Sequence, residues 1–300
     1  MRVRVLGSAA GGGVPQWNCG CDNCREARRG TGVVRPRTQE SVAISADGAS
    51  WFLLNASPEI RAQIESFAPL HPREPRHSPI AGVVLTNGDL DHCLGVLSLR
   101  ESHPLTIYAT DSVGAGFTAG NVLYRTLERF EGQVTWNALA IGREQPLGDS
   151  GLTVTAIATP GNLPLHLKSL REPSAEDNVG LVVRDARAGQ RLAYFSGVAG
   201  PSPALARAVA EADVVFFDGT FWSSDELIAL GLGTRRAEEM SHWPLGGPEG
   251  SAAFLGRQRG RKILIHINNT NPILREGSAE RRALDAAGIE VAADGLELAL

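Results

Sequence analysis

No apolar run in this sequence approaches the length of a membrane span. The opening Met1-Arg2-Val3-Arg4-Val5-Leu6-Gly7 also lacks the apolar core and small-residue cleavage site of a secretory signal, and alternates instead like a half-buried strand. A strong excess of either charge is missing: the formal net charge is -4, against the basic patches that nucleic acids and anionic membranes select. A cytoplasmic protein with no nucleic-acid partner and no membrane insertion is expected. No stretch is rich enough in Pro, Gly or Ser to act as a linker, so 1–300 reads as a single domain. At 43% hydrophobic and 21% charged, the chain can bury a sizeable core without covalent staples.

Cysteine is scarce. Only four occur, and three of them crowd into Cys19-Gly-Cys21-Asp-Asn-Cys24. An oxidised framework spreads its cysteines along the chain, whereas neighbouring thiols in a reducing compartment read as metal ligands. This CxCxxC loop at 19–24 is therefore expected to wrap a structural zinc, with a fourth ligand that spacing does not identify. Cys93 stands apart and reads as a packed residue beside a site. The glycine-rich Gly7-Ser-Ala-Ala-Gly11-Gly12-Gly13 is not a nucleotide loop, since no Gly-Lys-Ser/Thr follows and the G-x-G-x-x-G spacing is absent.

Short apolar strands alternate with helical patterns along the chain. Strands are expected around 42–45, 51–55, 80–86, 152–157, 179–183, 191–196, 214–217, 263–267 and 290–293, and helices over 58–67, 92–100, 204–212 and 278–287. The segment 71–79, with three prolines, reads as an external loop. Two mixed sheets packed together with helices outside suit this order.

The most informative run is Leu85-Thr86-Asn87-Gly88-Asp89-Leu90-Asp91-His92-Cys93-Leu94-Gly95, between a strand and a helix. Asp89 and Asp91 could simply cap the helix, but a cap needs one carboxylate and does not explain His92. Two carboxylates and an imidazole can instead converge on one divalent cation. Further on, Asp218 ends an apolar strand and His242 lies in a following loop, a pair suited to moving a proton. Asn268, Asn269 and Asn271 follow His266, either as turn formers or as groups that orient ligands. His166 is a possible extra ligand, and His71, His77 and His103 read as exposed.

The central run resembles the T-H-x-H-x-D-H signature of the metallo-β-lactamase superfamily, with Asn87 and Asp89 where its first two histidines belong. Thr159-Pro160-Gly161-Asn162 resembles its next motif with the ligand histidine lost, and Phe195-Ser196-Gly197-Val198 the motif that supplies a bridging aspartate. The resemblance implies that one metal site is lost. The other survives as Asp91, His92 and His266, with Asp89 as a further possible ligand. It also implies a four-layer αββα sandwich, with Asp218 and His242 as an acid–histidine pair beside the metal. Two imidazoles and one carboxylate resemble the facial triad of mononuclear non-haem iron oxygenases.

End to end, the chain also resembles the protein B family of pyrroloquinoline quinone (PQQ) biosynthesis, through V-P-Q-W-N-C-x-C-x-x-C, T-N-G-D-L-D-H, F-F-D-G-T-F-W at 216–222 and I-H-I-N-N-T-N-P at 265–272. That resemblance implies a homodimer, a small-molecule quinone precursor as substrate, Fe2+ or another divalent metal in the central site, and O2 as co-substrate. The implied reaction is hydroxylation of the tyrosine ring of a cross-linked Glu-Tyr precursor. The alternatives are a soluble carrier that helps move the quinone or its precursor toward the periplasm, or residual single-metal hydrolysis.

Overall fold

The structure is a computed structural model that describes residues 1–300. In chain order its strands are β1 (Arg2–Gly7), β2 (Ser41–Ser45), β3 (Trp51–Leu54), β4 (Ile80–Val84), β5 (Leu105–Ala109), β6 (Val134–Ala138) and β7 (Glu144–Pro146). They continue as β8 (Leu152–Ala158), β9 (Val179–Asp185), β10 (Arg191–Phe195), β11 (Val214–Asp218), β12 (Arg261–Ile265), β13 (Ile289–Val291) and β14 (Glu297–Ala299). Two seven-stranded sheets result, ordered β14-β1-β2-β3-β4-β5-β6 and β13-β12-β11-β10-β9-β8-β7. In the first, β14 through β3 are antiparallel and β3 through β6 parallel. The second repeats this, antiparallel from β7 to β10 and parallel from β10 to β13.

Strand alternation builds the layers. Val3, Val42, Ile44, Phe52 and Leu54 meet Tyr194, Phe216, Ile263 and Ile265 between the sheets. The intervening residues point outward: Ala43, Trp51 and Leu53 pack under helices on one side, and Ala193, Phe195, Val215, Phe217 and Leu264 on the other. Strands buried on both faces read as unbroken apolar runs, which is why they were evident in the sequence. The expected four-layer αββα sandwich is what forms.

Some elements were not expected. Leu105–Ala109, Val134–Ala138, Glu144–Pro146 and Glu297–Ala299 are strands; β6 is only partly buried, and β7 and β14 are three residues each at sheet edges. An eight-residue helix, Asp22–Arg29, follows the cysteine loop, buries little besides Asn23, Cys24 and Ala27, and stops at left-handed Gly30. Arg28 holds it in place by donating to the carbonyls of Cys19 and Gln16, both at 2.6 Å. The expected helix over 92–100 is one α-turn, Leu90–Cys93, continued as a 3₁₀ segment, Leu94–Leu99.

The parallel strands β4, β11 and β12 all end on the same side, so 85–92, 218–222 and 266–271 meet there. Loops from the two sheets are laced together at this edge: Ile267 N–H donates to Ser8 O at 3.0 Å, Ala10 N–H to Ile267 O at 2.9 Å, and Val179 N–H to Thr86 O at 2.9 Å. Such edges, at strand carboxyl ends, are where open α/β sheets bind ligands.

Gly95 sets how closely the Leu90–Leu99 segment approaches the turn after β3. A Cβ there would lie 2.1 Å from Ser57 O and 2.7 Å from Ala56 O. Gly95→Ala is expected to cost about 1–3 kcal/mol, as overpacked sites do, in urea unfolding at unchanged m-value, and to weaken metal binding through displacement of His92.

Candidate metal centre and cysteine clip

Asp89 occupies the N-cap position of Leu90–Cys93, yet no side chain caps that helix. Neither carboxylate serves as the helix's cap. Asp91 turns into the cavity, where its Oδ2 lies 3.1 Å from His266 Nε2 and 3.6 Å from His92 Nε2. The two imidazoles stand nearly perpendicular, at 76° with centroids 5.0 Å apart. The ligand atoms of Asp91, His92 and His266 all fall within 4.8 Å of one another. Asp89 lines the same cavity but lies outside this group. His166 is exposed on a 3₁₀ turn and does not join it. Cys93 is packed in the core, donating to Gly88 O at 3.4 Å.

Two threonines fix which nitrogen each histidine offers. Asn55 Oδ1 accepts from both N–H and O–H of Thr86, at 3.0 and 3.1 Å. The Thr86 hydroxyl has then used its one proton, so its oxygen accepts from His92 Nδ1–H at 3.0 Å. The Asn55 amide nitrogen stands 3.0 Å from Glu40 Oε2, 3.3 Å from Tyr194 Oη and 3.1 Å from His92 Nδ1; its two protons go to the two oxygens, which leaves His92 Nδ1–H to Thr86. Thr220 repeats the device, donating to Asp218 Oδ1 at 2.6 Å and accepting from His266 Nδ1–H at 2.7 Å. Both histidines thereby commit Nδ1 and turn Nε2 toward Asp91. Asn55 and His266 hold left-handed backbone at φ 61° and 58°, a sparsely populated region that the surrounding hydrogen bonds sustain.

Asp218 and His242 meet as a hydrogen-bonded pair. Asp218 is buried and accepts from Val198 N–H (3.0 Å), Thr220 N–H (3.0 Å), Thr220 O–H (2.6 Å) and His242 Nδ1–H (2.7 Å). Its oxygens are committed, so it positions His242 and does not enter the cavity itself. His242 lines the cavity and stacks on His266, centroids 5.2 Å apart at 29°.

Electrostatics follow from burial. His92 is pushed down to about 4 by desolvation, so it is neutral at pH 7. Desolvation also opposes charge on His266, but Asp91, with Asp218 and Glu40 behind it, outweighs that and raises it to about 9. Asp91 is held well below the carboxylate range: burial opposes its charge, and His92 and His266 prevail. Burial, then the charge of Asp91, pushes Asp89 up to about 6. A proton on His266 thus occupies the place a cation would take, and metal loading releases it.

The donor set fits one divalent ion, with His92 and His266 through Nε2 and Asp91 through a carboxylate oxygen. Of the positions that the superfamily resemblance marks as altered, Asn87 and Asn162 hold neutral amides, while Asp89 holds a carboxyl. Asn87 Nδ2 donates to Asn178 Oδ1 at 3.2 Å, and Asn178 Nδ2 to Thr159 Oγ1 and Gly197 O, both at 2.8 Å. Asn162 is tied by Nδ2 to Glu239 O at 3.0 Å. Asn178, Asn55, Thr220 and Glu40 were not singled out from sequence. The one available signal was Glu40 itself, a carboxylate directly before a strand that is buried throughout.

The cysteine loop closes as expected, with the three sulfurs of Cys19, Cys21 and Cys24 in one group. No His, Cys, Asp or Glu joins them. Asn269 does: its amide terminus lies 3.2, 3.6 and 3.3 Å from the sulfurs of Cys19, Cys21 and Cys24. A tetrahedral zinc with ordinary Zn–S and Zn–O bonds puts its oxygen roughly 3.5 Å from each sulfur. The site therefore fits zinc, and the Asn269 amide, turned over, would offer its oxygen as the fourth donor. Asn23 braces the arrangement by donating to Asn269 O at 3.0 Å and Asn271 O at 2.9 Å.

Two outcomes are expected. Thr220→Val, which leaves His266 Nδ1 without its acceptor, should weaken metal binding at the central site about 10–100-fold by calorimetry, with zinc in the clip unaffected. Asn269→Ala should lower zinc retention against a chelator, measured by elemental analysis, while Asn269→Asp keeps the metal.

Known proteins share this fold. The beta-lactamase superfamily domain matches residues 50–267. Coenzyme PQQ synthesis protein B of Azotobacter vinelandii is 43% identical, and that of Methylobacterium radiotolerans 45% identical, with 100% of this chain and of each relative covered. The crystal structure of Zn(2+)-bound PqqB from Methylobacterium extorquens superposes with a TM-score of 0.93 at 44% identity over 100% of both chains. A diphosphatase from the PhnP family shares the fold at TM-score 0.70 and 20% identity, covering 100% of this chain and 97% of its own. The chain belongs to the beta-lactamase superfamily and, within it, to the coenzyme PQQ synthesis protein B family.

Proposed function

We propose that this protein acts in PQQ biosynthesis as an iron- and oxygen-dependent hydroxylase of the tyrosine ring in the cross-linked Glu-Tyr precursor. The place in the pathway rests on its full-length similarity to proteins named for PQQ synthesis. The observation that carries the chemistry is the arrangement of one carboxylate and two imidazoles on the wall of an open cavity of about 230 Å³. Asp218 groups with His242 and His266 but is committed to four donors, and Asn87, Asp89 and Asn162 stand where the histidines of the other ion belong, so a two-metal hydrolytic centre, which needs both ions, is disfavoured.

When bound, ferrous iron supplies open positions at which oxygen and a phenolic substrate meet. Everything else falls to the chain. Thr86 and Thr220 hold His92 and His266 in the tautomer with Nε2 free. His242, with Nδ1–H anchored on Asp218, offers Nε2 to the cavity and takes the phenolic proton. Asn87 and Asn268, on the cavity wall, offer neutral hydrogen-bond partners to the precursor's polar groups. In balance, one atom of O2 replaces a ring C–H by C–OH and the other leaves as water, with two electrons and two protons from an external reductant.

The test is anaerobic Fe2+ loading, then 18O2, a reductant and the precursor, read by mass spectrometry. A product carrying labelled oxygen, absent with His92→Ala and His266→Ala, is expected. Precursor that binds tightly and returns unchanged would leave a soluble carrier as the function.

A further inference from the structure

Three apolar side chains line the central cavity, Ala10, Phe221 and Met240, in a wall otherwise made mostly of charged, amide and hydroxyl groups. Phe221 follows shortly after β11, is 4% exposed, and meets the imidazole of His242 edge to face, with centroids 5.7 Å apart at 69°. Met240 stands just before Ser241 and His242, and the turn between them is strained. Ser241 holds φ 70°, a left-handed conformation that residues other than glycine adopt at a cost and that gathers at functional sites. Asn162 secures it, donating from N–H to Ser241 Oγ at 2.7 Å and from Nδ2 to Glu239 O at 3.0 Å. The same turn thus delivers a thioether and an imidazole to one cavity. An aromatic ring gains more than burial against a thioether or a second ring, through edge contacts with sulfur and edge-to-face or offset contacts with the ring. A void of roughly 150 Å³ holds benzene, so about 230 Å³ admits one substituted ring.

We propose that Phe221 and Met240 form an aromatic subsite that holds a phenol ring beside the metal with its hydroxyl toward His242, and that they set the preference for an aromatic over a saturated substrate. This rests on the reading of the centre as a tyrosine-ring hydroxylase and names the residues that select the ring. Because Phe221 touches His242, a ring laid against one brings its hydroxyl to the other.

The sequence has only two methionines, which gives a direct readout. Met1 lies at the opposite end of β1 from Ala10, packed between the sheets, and serves as the control. The experiment titrates 4-methylphenol, the side-chain analogue of tyrosine, into the full chain loaded with zinc and labelled with 13C-methyl methionine. A saturable upfield shift of the Met240 methyl, from the ring current, is expected while Met1 stays fixed. By calorimetry, 4-methylcyclohexanol should bind about tenfold more weakly than the phenol. Phe221→Leu and Met240→Ala should each raise the Kd for 4-methylphenol about 5-fold, the size of an aromatic or sulfur contact. A silent Met240 methyl at saturation, an unchanged Kd in either variant, or equal affinity for the saturated ring would overturn the proposal. Should Phe221→Leu fail to fold, Met240→Ala, on a partly exposed turn, decides by calorimetry. The isotope test of the hydroxylase separates the two levels. Labelled product with a silent Met240 would defeat the subsite alone, whereas a saturable shift with no labelled product would defeat the hydroxylase and leave the subsite standing.

Discussion

A half-buried carboxylate between two imidazoles is the constraint to which the rest of the centre answers. Asp91 cannot be charged in the interior without a partner, and without metal the partner is a proton held on His266. With His92 driven neutral by the same burial, the site holds one excess proton where a cation belongs. The threonines, Asn55 and Asp218 are consequences of this arrangement. Each imidazole can present Nε2 only if something takes its Nδ1–H, and a hydroxyl does so only if its own proton is already spent.

The layered sandwich supplies the rigidity this requires. Thr86 and His92 follow β4 of one sheet, Thr220 and His266 follow β11 and β12 of the other, and both sheets share one apolar interior. Backbone bonds between Ser8, Ala10 and Ile267, and between Thr86 and Val179, lock the facing loops. The ligands therefore come from separate sheets but cannot shift independently.

Much of this was legible in the sequence, for definable reasons. Strands buried on both faces stand out as apolar runs, while β6, half exposed, and β7 and β14, three residues each, carry too few buried side chains to be noticed. Asp91, His92 and His266 announce themselves because two of them are adjacent and the third ends an apolar strand. The residues that make those ligands work do not. Thr220 sits 46 residues from His266, and Asn55 sits 37 from His92. Asn269 is 245 to 250 residues from the cysteines. Such pairings have no periodicity; folding alone brings them together. The short helix after the cysteines was hidden for a related cause, being held by Arg28 and the clip instead of an apolar face.

Asn269 lies three positions after His266, so one short loop serves both sites. The thiolate clip favours a soft ion, whereas two imidazoles and a carboxylate accept a wider range of divalent ions. They are nonetheless joined through the chain. Asn23, on the helix that carries Cys24, donates to the carbonyls of Asn269 and Asn271, and Asn271 in turn donates to the carbonyls of Gly219 and Thr220. Whatever steadies the clip therefore also steadies the loop that carries His266.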